Sequence, residues 1–388
     1  MTMTANRNSF GLDSPIFHAA LILLVIGLVM VYSASSFKAR ELYHDSKHFL
    51  ENHALRVALG LFLMLLAARI DYRVWLRLAP VLVILSVGLL VYLLVSPAVP
   101  VIRGSRRWLA IAGFQFQVSD LARLALVLFL SASLVRPRHS LETLKGFAFH
   151  LAVVAGVIVP IFLEPDVGTA LLIGFVALLL IFVSGCRLRY LAALLGTALP
   201  AFGVWLLLGD TYHTTRFRSF LDSLLGKGVE WQTKQSLVAL GNGHIWGLGL
   251  GAGKQKFHFL PDPFTDFIYA IIGEEFGLIG TLVIVFVFLY LVRKGLQAAM
   301  NAPDTSGKLL GIGIVLNIAI YAFVNAAVVA NLLPTTGIPM PFISYGGSAM
   351  LTNLFALGIL LNIAQQAEKK SKLYPAKPYA YRRGRVKG

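Results

Sequence analysis

The stretch "LPDPFTDFIYAIIGEEFGLIGTLVIVFVFLYLVRK", residues 260–294, decides how the chain is read. From Phe276 to Val292 it is uncharged and almost wholly apolar, within the length range that crosses a bilayer core. Just before that run stand Asp262, Asp266, Glu274 and Glu275, four of only 18 acids in the chain. Similar apolar runs recur along all 388 residues. Apolar residues make up 57% and charged residues 13%, against roughly 25% charged in soluble domains. The fold class that follows is an all-α polytopic membrane protein.

Apolar runs predict ten spans, at 17–36, 54–70, 77–98, 120–135, 146–163, 167–185, 188–209, 266–292, 308–332 and 343–364. The eighth is long, so it is tilted or its first turns lie outside the hydrocarbon. The organisation is an N-terminal segment 1–16, a ten-helix domain 17–364 with a long loop 210–265, and a basic tail 365–388. No small-residue cleavage site follows the first span, which is expected to be retained. The loop reads as structureless, and loops of that length are usually functional or disordered; its Phe217, Phe220, Trp231, Phe257 and Phe259 argue for order at the interface.

Ten spans put both termini on one side. With the termini cytoplasmic, 20 of 34 basic residues fall on that side, against seven in the short opposite segments. A net charge of +16 therefore speaks for anionic lipid and topology, and no basic patch with interleaved aromatics points to nucleic acid. The single cysteine, Cys186, excludes a disulfide framework and a multi-cysteine metal site.

The chemistry then gathers outside. Asp262 lies between two prolines in a turn. Asp266 has two readings: with Thr265 it caps the eighth helix, or it is a general base raised by apolar surroundings. Glu274 and Glu275 lie about 12–14 Å further along a helix. Acids at that depth face the bundle interior, either for function or paired with a cation such as Arg123. "EPDVGTA" adds Glu164 and Asp166, the latter a plausible helix cap, and "RGSRRW" at 103–108 adds Arg103, Arg106 and Arg107 beside Trp108. "PTTGIPMPFISYGGS" is irregular backbone at membrane depth, which survives only when it is packed in protein or lines a cavity.

Six stretches in this order are similar to the SEDS family (shape, elongation, division and sporulation), the FtsW and RodA glycosyltransferases: "YSASS", "RGSRRW", "FQVSDLARLAL", "EPDVGTALLI", "KQSLVALGNGHIWGLGLGAGKQKFHFLPDPFTDFIYAIIGEEFG" and "LLPTTGIPMPFISYGGS". They run from the first span to the last, and their wording is nearer the FtsW branch. The resemblance implies a SEDS-type fold of ten helices in the bacterial cytoplasmic membrane. It implies polymerisation of lipid II into glycan strands at the outer face, with divisome or elongasome proteins and a class B penicillin-binding protein transpeptidase as partners. The family's L-P-E-x-H-T-D-F aspartate falls on Asp266, the expected base. Asp262 stands where the family has glutamate and Phe264 where it has histidine, so neither carries over unaltered. Q-P-S-E-L-A-K is here Gln117 to Arg123, with Asp120 keeping the acid and the proline lost. The expected diphosphate-binding set is Arg103, Arg107, Trp108, Gln235, Lys256 and Ser344, or a divalent cation (Mg or Mn) in their support. Asp120, Glu164, Asp166, Asp262 and Glu275 are the expected supporting carboxylates. A lipid-linked oligosaccharide flippase and a division scaffold remain as rival readings, since intramembrane acids and broken helices suit a transporter too.

Overall fold

The computed structural model describes residues 13–97, 99, 105–111, 114–136, 141–209 and 211–373. Among them run α1 (Pro15–Tyr43), α2 (His48–Arg69), α3 (Tyr72–Val95), the strands β1 (Trp108–Ile111) and β2 (Phe114–Gln117), α4 (Val118–Ser133), α5 (Leu144–Leu163), α6 (Val167–Val183) and α7 (Leu188–Leu208). Then follow α8 (Tyr212–Leu224), α9 (Trp231–Gly243), α10 (Ile268–Met300), α11 (Thr305–Val329) and α12 (Gly347–Leu373).

Each predicted span coincides with a helix, α1 to α7 and α10 to α12. Eight of these are long and apolar enough to cross a membrane. The other two, α4 and α6, have 16 and 17 residues. Burial explains α4: 13 of its 16 residues are buried, because it runs inside the bundle rather than facing lipid. At the other extreme α7 buries only Leu206 and presents the rest of its described surface outward. Polar side chains set the helix starts. Ser14 caps α1 ahead of Pro15, and Asp71, Thr143, Asp166 and Asp304 cap α3, α5, α6 and α11.

Two features depart from the sequence reading. The segment 210–265 is not structureless, for it contains α8 and α9. Thr211 opens α8 with a capping box shared with Thr214, a local signal in a helix too short and too polar to register as an apolar run. The second is a break in α10. Gly277 has φ 65° and ψ −162°, so the residues on either side belong to two helical segments. This, rather than tilt alone, explains the length of the eighth span.

A break at membrane depth frees backbone groups that must find partners. Residues 244–249 supply them. Leu278 and Ile279 N–H donate to the carbonyls of His244 and Ile245 at 2.9 and 3.3 Å, and Leu248 and Gly249 N–H donate to those of Glu274 and Glu275 at 3.0 and 2.9 Å. The two backbones lie so close that a methyl on Gly277 would sit 2.5 Å from Gly247 N and Ile245 O.

At the end of the bundle that carries the α12 C-terminus, Arg73 and Tyr72 both reach Asp304, at 2.8 and 2.7 Å. The loops of interest converge at the other end.

Candidate active site

The connections α3–α4, α5–α6, α7–α10 and α11–α12 meet at one end of the bundle and enclose a cavity of about 730 Å³. Of the residues expected at the site, Asp266, Asp262, Arg107, Trp108, Asp120 and Asp166 line it. Arg123, Arg216, Gln117, Tyr321, Tyr345 and Ser348 are among the other polar residues of its wall.

Asp266 sits just before α10, whose N-cap is Phe267 with no side-chain cap, so the helix-cap reading of Asp266 is corrected. Its backbone is fixed instead. Asn325 on α11 donates from Nδ2 to the carbonyls of Asp266 and Ile338, both at 2.7 Å, tying this segment to the α11–α12 loop. Gly337, at φ 70°, brings that loop close: a methyl there would lie 3.4 Å from Asp266 Oδ2. Asp262 occupies the left-handed region at φ 50°, and its carbonyl accepts from Thr265 N and Oγ1, both at 3.2 Å. Phe264 is buried against Phe49 and Tyr345, with ring centroids 4.8 and 5.6 Å apart, and its carbonyl accepts from Tyr345 N. The position of the family histidine is therefore filled by a ring packed in the core.

A polar chain crosses the floor. Arg107 donates from Nε to the carbonyl of Glu164 at 3.0 Å, donates to the Pro165 carbonyl, and approaches Asp166 Oδ2 at 3.6 Å. Asp166 caps α6 through Thr169 N and accepts from Gln117 Nε2 at 3.2 Å. Gln117 N donates to Ser348 Oγ, which donates to Asp120 Oδ2 at 2.7 Å. Asp120 faces Arg123 at 3.5 Å, and Arg123 also holds Asn353 and lies 4.1 Å over the Tyr321 ring. Glu164 is 3% exposed, and its Oε1 has no partner among the described residues. Burial, then the neighbouring Asp166, push its carboxyl up to about 8 against the pull of Arg107.

Other expected site residues lie elsewhere. Lys256 and Glu275 form a buried ion pair away from the cavity, at 2.7 Å. Glu274 accepts from Lys254 N and Gln255 N at 3.0 and 3.1 Å, so Arg123 is the partner of neither glutamate. Gln235 is buried on α9, outside the cavity wall. Ser344 accepts from Met340 N within a turn, and it is Ser348, one helical turn on, that faces the cavity. Arg106 donates to the Ser96 carbonyl, and Arg103 lies outside the described residues.

Sequence reasoning missed Arg216 because α8 was hidden in a long loop. That arginine reaches the cavity between Gln232, Glu230 and the Thr335 carbonyl. Asn325 gave no signal, being one polar residue in an apolar run. Among the described residues no three His, Cys, Asp or Glu side chains converge as metal ligands. Asp120 and Asp166 are engaged by hydroxyl, amide and guanidinium donors. Asp262 and Asp266 line the same cavity as Arg107, Arg123 and Arg216, an arrangement suited to proton abstraction beside an anion.

The family model described as "Cell cycle protein", covering FtsW, RodA and SpoVE, matches residues 14–369. A probable peptidoglycan glycosyltransferase FtsW of Geobacter metallireducens is 41% identical over 355 residues, covering 91% of this chain and 94% of that protein. Stage V sporulation protein E of Bacillus subtilis is 38% identical over 350 residues, covering 89% and 94%. Among solved structures, a chain from "Structural coordination of polymerization and crosslinking by a peptidoglycan synthase complex" aligns with TM-score 0.74 at 26% identity, covering 92% of this chain and 98% of that one. The rod shape determining protein RodA of Thermus thermophilus shares the fold at TM-score 0.66 and 23% identity, covering 92% and 97%. On these matches, and with its loops gathered around one cavity at the end of a helical bundle, the chain belongs to the FtsW/RodA/SpoVE family.

Proposed function

We propose that this chain is a peptidoglycan glycosyltransferase that polymerises lipid II at the outer face of the bacterial cytoplasmic membrane, with Asp266 as general base. The observation that carries the reading is the placement of Asp266 in one cavity with Arg107 and Arg216. The name carried by relatives at about 40% identity supports the enzyme class.

The reaction balances on these groups. Asp266 accepts the proton of the acceptor sugar's 4-hydroxyl as that oxygen bonds to the donor's anomeric carbon. The anomeric bond to undecaprenyl diphosphate breaks, and its electron pair leaves on the diphosphate. Arg107 and Arg216 are placed to stabilise the charge that develops there. Asp166 and the α5–α6 turn hold Arg107, while Glu230 and Gln232 hold Arg216. Asp120 and Arg123 pair with each other in the same cavity wall. No step is routed through a divalent cation.

The FtsW name of the relatives favours a role in the division septum, and the likeness to a chain of a peptidoglycan synthase complex favours a class B penicillin-binding protein as partner. The distribution of basic residues favours cytoplasmic termini, which puts the cavity outside. Reporter fusions at both termini test that orientation, and depletion tests the role: filaments fit division, spheres would assign elongation.

The decisive assay is the purified chain with labelled lipid II, alone and with the transpeptidase. A ladder of glycan strands is expected. Intact lipid II that instead crosses the bilayer of reconstituted vesicles would overturn the reading in favour of a flippase.

A further inference from the structure

Lys256 and Glu275 stand outside the cavity, yet they flank the segment that carries Asp262 and Asp266. Nζ and Oε1 are 2.7 Å apart, and the side chains are 4% and 0% exposed. The ammonium also donates to the Gly251 carbonyl at 2.8 Å and contacts Ser33 Oγ at 3.2 Å. Ser33, on α1, lies 2.7 and 2.8 Å from the two oxygens of Glu275. All three ammonium hydrogens and both carboxylate oxygens are thus satisfied in a site closed to water.

This pair closes a loop. The chain leaves Lys256, turns through the left-handed residues His258 and Asp262, passes Asp266 and returns down the first segment of α10 to Glu275. Two residues later the helix breaks at Gly277. The first segment of α10 is thus set off from the rest of its helix, with Asp266 just before its far end. The ion pair and Ser33 fasten that segment to the preceding loop and to α1.

We propose that Lys256, Glu275 and Ser33 are positioning residues for Asp266, a buried lock at the base of the loop rather than ligands of the substrate. The proposal rests on the reading of Asp266 as the base. A pair that served only stability would change the amount of folded protein and leave the turnover of the folded fraction alone.

Removing one charge strands the other in an apolar site, so single charge variants are expected to reduce folded protein. The informative variants are therefore Ser33→Ala, which keeps the charges, and Lys256→Met with Glu275→Met, which removes both. Each is purified as full chain, its melting temperature is recorded, and lipid II polymerisation is measured beside Asp266→Asn. The expected result for the double variant is melting close to the unaltered protein, KM within about twofold, and kcat lower by about tenfold to a hundredfold, as for a misplaced reacting group. Ser33→Ala should lower kcat several-fold with melting unchanged, and it decides the matter alone if the double variant does not fold. Unaltered kcat in the folded variants, with Asp266→Asn inactive, overturns the lock. Activity in Asp266→Asn would instead overturn the assignment of the base.

Discussion

Glu164 is a residue whose chemistry its surroundings alter strongly. Its ordinary carboxyl value is 4.5, and burial beside Asp166 raises it to about 8. The folded protein therefore holds a proton that the unfolded chain releases between those values. The stability of the neutral form is complete below about 4.5 and declines as pH rises toward 8. In Glu164→Gln that decline should flatten, read as melting temperature against pH from 5 to 8, with Arg107 and Asp166 unchanged beside it. Phe264 gives a second prediction at this scale. Its ring is 5% exposed and braces Tyr345. Phe264→Ala should cost about 3–5 kcal/mol by thermal or denaturant unfolding, while Phe264→His, of similar size, should retain polymerase activity. Residue roles were only partly legible in the sequence. Locally Asp266 reads first as a helix cap, and its register against six family stretches is what turns the reading to a base. Lys256 was misplaced because a lysine beside a basic loop looks like a phosphate ligand until its buried partner is seen.

At the scale of elements, the apolar runs were read well because membrane thickness leaves few alternatives to a helix. The ten helices begin and end within nine residues of the expected spans, the largest differences at the ends of α1, α10 and α12. The break in α10 was not legible. A glycine in an apolar run has no period to disturb, and the groups that satisfy the freed backbone come from residues 244–249, remote from it in the apolar pattern. Gly277 is also the residue at which the element is most easily damaged. Gly277→Ala would strain a φ of 65° and press a methyl against Ile245 and Gly247. A loss of about 1–3 kcal/mol is expected from the backbone strain alone, with a further loss from the contact, seen as lower melting temperature and weaker polymerisation. The amphipathic α8 escaped for a different reason: its first turn is polar and its length modest, so only the Thr211 cap marked it.

For the whole molecule, two spans between each successive pair of functional loops put them all at one end of the bundle. That parity brings Arg107, Asp166, Arg216, Asp266 and Ser348, from five separate segments, to one cavity. The scarce acids of residues 260–294 divide between two tasks: Asp262 and Asp266 face the cavity, and Glu274 and Glu275 pin the broken helix behind it. The claim that joins fold to function is that the Asp266 carboxylate takes the acceptor's proton. Its most direct test is the initial rate of lipid II polymerisation by Asp266→Asn against the unaltered protein at matched folded concentration. The account predicts a fall of at least about a hundredfold with the melting temperature preserved; polymerisation by Asp266→Asn at the unaltered rate would contradict it.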